Sequence, residues 1–289
     1  MTTEIKDNRT GQIWRMLRAS RLALFVCLTL PAALPATSLM AEELDKRFAV
    51  YDQTSSQKIN HSAWNMLLRA YVTADRQGLN RIDYAGLKAS GLGDLRKYLG
   101  QLQSVNPAKL SRDEQFAYWA NLYNAKTMEI VADKYPVSSI RKIRLSLSLF
   151  PGPWRDKVLK VMGVSLSLDD IEHKILRPIW RDPRIHYAVN CASIGCPNLQ
   201  DQAYTGSVLE TMLEKAARDY INSPRGVRFD GTKVIVSSLY DWYGPDFGGS
   251  VPNILAHIRK YADPALAERI AGVKQFSDYE YDWALNERK

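Results

Sequence analysis

The sequence predicts an α+β domain, rich in helix, with a small and mostly antiparallel sheet. Three observations carry that expectation. Apolar stripes at helical spacing recur along the chain, period-two runs are few and short, and the turn signals between those runs suit hairpins. The chain has 289 residues, 46% hydrophobic and 24% charged, an ordinary balance for a protein with a buried core. That balance argues against a disordered, collagen-like or multi-span membrane protein.

The amino terminus reads as an address. A basic leader ending in Arg18-Ala19-Ser20-Arg21 precedes LALFVCLTLPAALPA and then small residues, the layout of a secretory signal peptide. The run from Leu22 to Ala36 falls short of the roughly 20 apolar residues a spanning helix needs. Residues 1–41 are therefore assigned as a signal peptide cut near 38–41, which leaves no transmembrane anchor and implies a periplasmic or secreted protein. Residues 42–289 hold no repeat, low-complexity tract or linker and read as a single domain. The leader carries five basic residues against Glu4 and Asp7, so the rest of the chain keeps only +5 of the total +8. Without a long Lys/Arg block, a nucleic-acid partner is not expected, and a small-molecule or peptide substrate is. The oligomeric state is not encoded in any pattern found.

The first helix is predicted over His61 to Thr73, where Trp64, Leu67, Leu68 and Tyr71 share a face, and a second over Leu92 to Gln103. The strongest helix begins at Ser111, with Glu114 placed for a capping box, and runs to about Lys134 before Tyr135-Pro136. Its segment FAYWANLYNA is apolar on nearly every side, as in a central helix. Asn121 and Asn124 on this helix either pin neighbouring backbone or face a cleft, and the first is the expectation.

Alternation from Ile143 to Leu149 predicts a strand, and Lys157–Val161 and Val164–Leu168 around Met162-Gly163 predict a hairpin. Six basic side chains against Asp156 between residues 141 and 160 form a solvated basic face, or else an anion-binding rim. Ser167 caps a helix through Asp169, Asp170, Glu172 and His173 that ends near Arg177-Pro178. Ile185 to Val189 reads as a strand feeding Cys191. Ser207 and Glu210 open a capping-box helix with a stripe of Leu209, Met212, Leu213, Ala216, Tyr220 and Ile221. Asp230-Gly231 turns a hairpin, and a helix over Val251 to Tyr261 and an extended piece over Tyr279 to Trp283 complete the fold.

Reactive side chains concentrate between Glu172 and Cys196, a stretch that holds half of the histidines in the chain. A cysteine nucleophile needs a base or cation to lower a thiol pKa of about 8.5 and a polar group to orient that base. Cys191 has His186, His173, Glu172 and Asn190 within sequence reach. On a regular strand His186 and Cys191 would face opposite sides, so that pairing needs the strand to end or bulge first, and His173 is the alternative base. Cys191 and Cys196, the pair left after Cys27 is removed with the signal, can equally close a disulfide in an oxidising compartment. Zinc held by both cysteines with His173 or His186 is a lesser reading, since the spacing matches no strong zinc pattern. No Gly-rich phosphate loop, Walker sequence, serine elbow or His-Glu zinc helix is present, and neither a cofactor nor a metal is expected.

Taken together and in order, FAYWANLYNA, SLDDIEHKILRP, DPRIHYAVNCASIGCPNL and LYDWYGPDFG make the chain similar to the domain of unknown function 547 (DUF547) family, over a span from about Trp64 to the terminal YDWALN. The resemblance implies frequent export among bacterial members and no established general activity. A cysteine-protease-like analogy within that family would carry over to Glu172, His173, His186, Asn190, Cys191 and Cys196. Unlike papain-like enzymes, the central helix has no cysteine and Cys191 follows the histidine. Two functions are thus expected from this sequence. One is a thiol-dependent hydrolase or acyl transferase using Cys191 with His186 or His173 and with Glu172 or Asn190 orienting the base. The other is a non-enzymatic envelope binding or scaffold protein stapled by a Cys191–Cys196 disulfide.

Overall fold

A computed structural model of the protein describes residues 44–147 and 150–288. The expected signal peptide lies outside them. Among the described residues no helix is long and apolar enough to cross a membrane. Helix α1 (Ser62–Tyr71) buries Trp64, Leu67 and Leu68, as its stripe predicts, and leads into a hairpin of β1 (Val72–Ala74) and β2 (Asn80–Ile82) in register Val72 to Ile82. Helix α2 (Leu92–Ser104) buries Leu95, Tyr98, Leu99 and Leu102, a face repeating every three to four residues.

Helix α3 (Arg112–Lys134) is buried on nearly every side from Glu114 to Ala132, the central position its composition predicts. The capping box does not form. The Ser111 side chain makes no cap hydrogen bond, and Glu114 turns inward to accept from the backbone N–H of Ile59 at 3.0 Å and of Gly206 at 2.8 Å. Two buried donors from distant segments outweigh one local cap, because each would otherwise be left unpaired.

The strand expected over Ile143 to Leu149 is absent over its described part. A 3-10 turn at Ile140–Lys142 gives way to bends, and residues 148 and 149 lie outside the described set. The chain folds back here, with Gly152 N–H donating to the Arg141 carbonyl at 3.1 Å and the Arg144 guanidinium capping the carbonyls of Arg141 and Ile143. These bonds occupy the groups that a strand would offer to a neighbour. The predicted hairpin does form, from β3 (Leu159–Val161) and β4 (Val164–Leu166), with Met162 and Gly163 at φ of 49° and 81°. A two-residue turn with both φ positive matches the twist of the flanking strands.

Helix α4 begins with a wide π-type turn (Asp170–Leu176) and continues as Arg177–Trp180. Its start is capped reciprocally as expected: Ser167 Oγ accepts from Asp170 N–H at 3.1 Å, and the Asp170 carboxylate accepts from Ser167 N–H at 2.9 Å. The helix passes through Pro178 and ends at Arg181, in the left-handed region with φ of 52°. The strand expected over Ile185 to Val189 is instead a helical turn, α5 (Ile185–Ala188). Asp182 and Pro183 supply the reason. The Asp182 carboxylate accepts from Arg184 N–H at 2.8 Å and its carbonyl from Ile185 N–H at 3.1 Å, while proline has its φ already set for a first helical turn. A helix-start signal therefore overrode an apolar run that looked extended.

Helix α6 (Leu209–Ile221) buries the predicted stripe, but its capping box is also absent. Ser207 bonds the Thr205 hydroxyl and Glu210 reaches Arg184 at 2.6 Å. The Asp230-Gly231 hairpin joins β5 (Val227–Asp230) to β6 (Lys233–Ser237). After the short α7 (Leu239–Trp242), α8 (Val251–Tyr261) and α9 (Pro264–Ile270), β7 (Asp278–Glu280) pairs parallel with β6. The other strand pairs are antiparallel. Helix-rich α+β architecture is thus the observed class. Its apolar residues form one large core around α3 and a second between α6, α8 and the β5–β6 hairpin.

Candidate functional site

The asparagines of α3 build the floor of the site by holding backbone. Asn121 accepts from Tyr204 N–H at 3.0 Å and donates to the Tyr204 carbonyl at 2.8 Å. Asn124 accepts from Asn190 N–H at 2.8 Å and donates to the Ala188 carbonyl at 2.9 Å. The second pair fixes the end of α5 and the start of the cysteine loop to the central helix. Both amides satisfy buried main chain, as expected.

Asn190 is itself a loop organiser. Its side chain donates to the Pro197 carbonyl at 2.7 Å and accepts from Ala192 N–H at 2.9 Å. That second bond holds Ala192 at φ of 62°, a conformation costly for a residue with a Cβ, and Asn286 N–H adds a bond to the Ala192 carbonyl at 3.2 Å. Cys191 and Cys196 close a disulfide within this loop. The carboxy-terminal segment zips along the loop, with Ile194 N–H bonded to the Ala284 carbonyl and Gly195 N–H to the Asp282 carbonyl, both at 2.8 Å. Gly195 is required at that contact, since a Cβ there would lie 2.8 Å from Asp282 N.

One cleft of about 320 Å³ gathers Cys191, Cys196, Glu172, His173 and His186 from the predicted set, whereas Asn190 lies buried behind the loop. Beneath the cleft runs a chain of charges. The Arg177 guanidinium grips Asp246 with two bonds of 2.6 and 3.0 Å, Asp246 meets His186 Nε2 at 2.7 Å, and His186 Nδ1 faces Glu172 at 3.7 Å. Tyr123 donates to Glu172 at 3.1 Å. Burial disfavours charge on His186, yet the two carboxylates outweigh it and raise its pKa above the ordinary value. Burial likewise raises Glu172, but His173, His186 and Tyr123 together hold it down to about 2. Asp246 is pulled well below the usual carboxylate range by His186 and Arg177, again against burial. The cleft floor therefore holds an imidazole between two carboxylates that favour its protonated form.

This arrangement separates the sequence-predicted partners. His186 spends both ring nitrogens on carboxylates, and the Tyr243 ring stacks on it with centroids 4.1 Å apart. His173, one third exposed, takes a contact from Arg177 at 3.2 Å and faces Asp169 at 3.9 Å. The Cys191 sulfur instead meets the Tyr281 hydroxyl at 3.0 Å and the Ser193 hydroxyl at 3.2 Å. Neither histidine is a hydrogen-bond partner of Cys191 among the described residues. Among the same residues, no three His, Cys, Asp or Glu side chains converge as a metal ion needs.

Aromatic rings form the opposing wall. Trp283 lies 4.7 Å from Tyr281, 5.6 Å from Trp242 and 5.9 Å from Trp154, centroid to centroid. The basic segment braces this wall: Arg141 sits over Trp283, and Arg155 sits over Phe150 and pairs with Asp169 at 3.4 Å. Lys157 and Lys174 converge on Asp170. Those four cations are engaged by partners within the protein.

The sequence names the imidazole and one of its carboxylate partners, Glu172, but not Asp246, nor the rings around them. Asp246 and Tyr243 sit in LYDWYGPDFG, and Tyr281 and Trp283 in YDWALN, segments whose resemblance to the family was the only signal pointing to them. The remaining histidines are structural. His61 bonds the Tyr98 hydroxyl and His257 the Tyr187 hydroxyl, and burial lowers both to about 4.

No curated protein and no solved structure matches the chain. Residues 107–221, from the approach to α3 through the cysteine loop to the end of α6, match the family model described as "Protein of unknown function, DUF547".

Proposed function

We propose that this protein is an exported binding protein whose cleft holds a small, uncharged organic molecule with an apolar or planar face and a hydrogen-bonding edge. One observation carries the reading: a wall of Trp154, Trp242, Tyr281 and Trp283 faces a floor whose charges are already balanced by one another. Aromatic faces supply contact area, and a few convergent polar groups fix orientation. A floor of paired ions offers no surplus charge to a charged ligand. Export rests on the leader sequence and agrees with a disulfide in the domain. Active alkaline phosphatase fused to the full chain would support export, and inactive fusion protein would count against it.

The binding test uses prodan, a neutral naphthalene dye. Its emission should rise saturably at one molecule per chain, and Trp283→Ala should weaken the affinity about tenfold, the loss expected for one aromatic contact. Equal affinities in the two proteins would remove the aromatic wall from the proposal. A second reading, the thiol-dependent hydrolase or acyl transferase, is favoured by the Tyr281 hydroxyl beside the Cys191 sulfur, where it would stabilise a thiolate once the bridge is open. Repeated turnover of p-nitrophenyl acetate by reduced protein, absent in Cys191→Ala, would decide for that reading.

A further inference from the structure

We propose that the Cys191–Cys196 bridge is a thiol–disulfide exchange site opened from the cleft by a low-molecular-weight thiol. This goes beyond ligand binding and does not depend on it.

Three observations point there. First, both sulfurs line the cleft, Cys191 partly exposed and Cys196 only 3% exposed, so an entering thiolate reaches Cys191 first. Second, each sulfur already has a donor that suits a thiolate. Ser193 donates to the Tyr281 oxygen at 3.1 Å, which leaves the Tyr281 proton for the Cys191 sulfur at 3.0 Å, while the Cys196 sulfur accepts from Cys191 N–H at 2.8 Å. Burial keeps the Tyr281 hydroxyl protonated and able to donate. Third, the loop is closed without the bridge. Asn190 spans it to the Pro197 carbonyl at 2.7 Å, Arg225 binds the Cys196 carbonyl at 2.6 Å, and two backbone bonds to the carboxy-terminal segment hold residues 194 and 195. A bridge that only stapled the loop would duplicate these bonds.

The chemistry balances with two thiols as reductant. A thiolate attacks the Cys191 sulfur, the S–S bond breaks, and its electron pair leaves on Cys196, where the Cys191 N–H receives it. The product is a mixed disulfide on Cys191. A second thiolate attacks the reductant's sulfur in that mixed disulfide, releasing Cys191 as a thiolate against the Tyr281 hydroxyl. Two thiols become one disulfide, and the protein gains two electrons and, on protonation, two thiols.

Native full chain would be incubated with millimolar glutathione at pH 7, and in parallel with a dithiol protein of the thioredoxin type, then acid-quenched, alkylated and mapped by mass. Opening by glutathione through an adduct on Cys191 is the expected result. Opening by the dithiol protein alone would overturn the low-molecular-weight thiol as reductant. A bridge that opens only after denaturation, or an adduct on Cys196, would overturn the exchange site or its order. In Cys196→Ser, adding Tyr281→Phe should slow Cys191 alkylation at pH 7 about tenfold, the change that one unit in thiol pKa makes. Equal rates in proteins with matching far-UV spectra would overturn the part given to Tyr281.

Discussion

Replacing His186 by alanine is expected to cost the folded protein about 3–5 kcal/mol at pH 5.5, the penalty for removing one partner of a buried ion pair. His186 is 2% exposed and lies between Glu172 and Asp246, and without it Glu172 would stay buried with the Tyr123 hydroxyl at 3.1 Å and His173 Nδ1 at 4.0 Å among its remaining partners. Urea midpoints of the two proteins measure the loss. The pH dependence identifies its origin. Because the folded pKa of His186 is raised, its contribution is complete below its unfolded value of about 6.5 and disappears as pH climbs through the folded value. Glu172 behaves oppositely: its contribution is complete above an unfolded value of about 4.3 and disappears as pH falls toward about 2. The difference between wild type and H186A should therefore peak between about pH 4.3 and 6.5 and shrink at pH 9. His61 and His257, held neutral by burial, destabilise both proteins in acid, so the comparison must be a difference. A gap that is flat with pH would mean that His186 is not an ion in the folded state.

Asn124→Ala is the second large effect. It strands two buried main-chain groups, Asn190 N–H and the Ala188 carbonyl, at about 1–3 kcal/mol each, so a total loss of about 2–6 kcal/mol is expected. The injury should also be local, because these bonds position the loop that carries Cys191. Hydrogen exchange at Asn190 should accelerate more than exchange within α6, and Asn124→Asp, which keeps the acceptor for Asn190 N–H, should recover part of that protection. Uniform acceleration across the chain would show that Asn124 supports only the core.

Local physics made much of the fold legible. The stripes of α1, α2, α3, α6 and α8 repeat over several turns, and the turns at Met162-Gly163 and Asp230-Gly231 carry their own backbone requirement. Two capping boxes were legible in pattern and unused in fact, because Glu114 and Glu210 found partners in distant segments. The IHYAV run misled because four or five apolar residues suit a strand or a buried turn equally, and Asp182-Pro183 decided for the turn. Ile143 to Leu147 alternates, yet no neighbouring edge accepts it as a strand.

For the site, residue chemistry alone gathered Glu172, His173, His186, Cys191 and Cys196, since reactive side chains cluster within one short stretch. Their roles were beyond it. Asp246 and Tyr281 come from segments 60 or more residues away, and only the docking of the Gly244–Phe247 turn and the carboxy-terminal segment sets them on His186 and Cys191. The sequence by itself determined the longer helices, the hairpins at Met162-Gly163 and Asp230-Gly231 and the set of reactive groups, because these follow from periodicity and composition within a few turns of chain. Only the tertiary structure decided that the imidazole lies between two carboxylates and that the sulfur answers to a tyrosine, because such partners are chosen by distance in space and not along the chain.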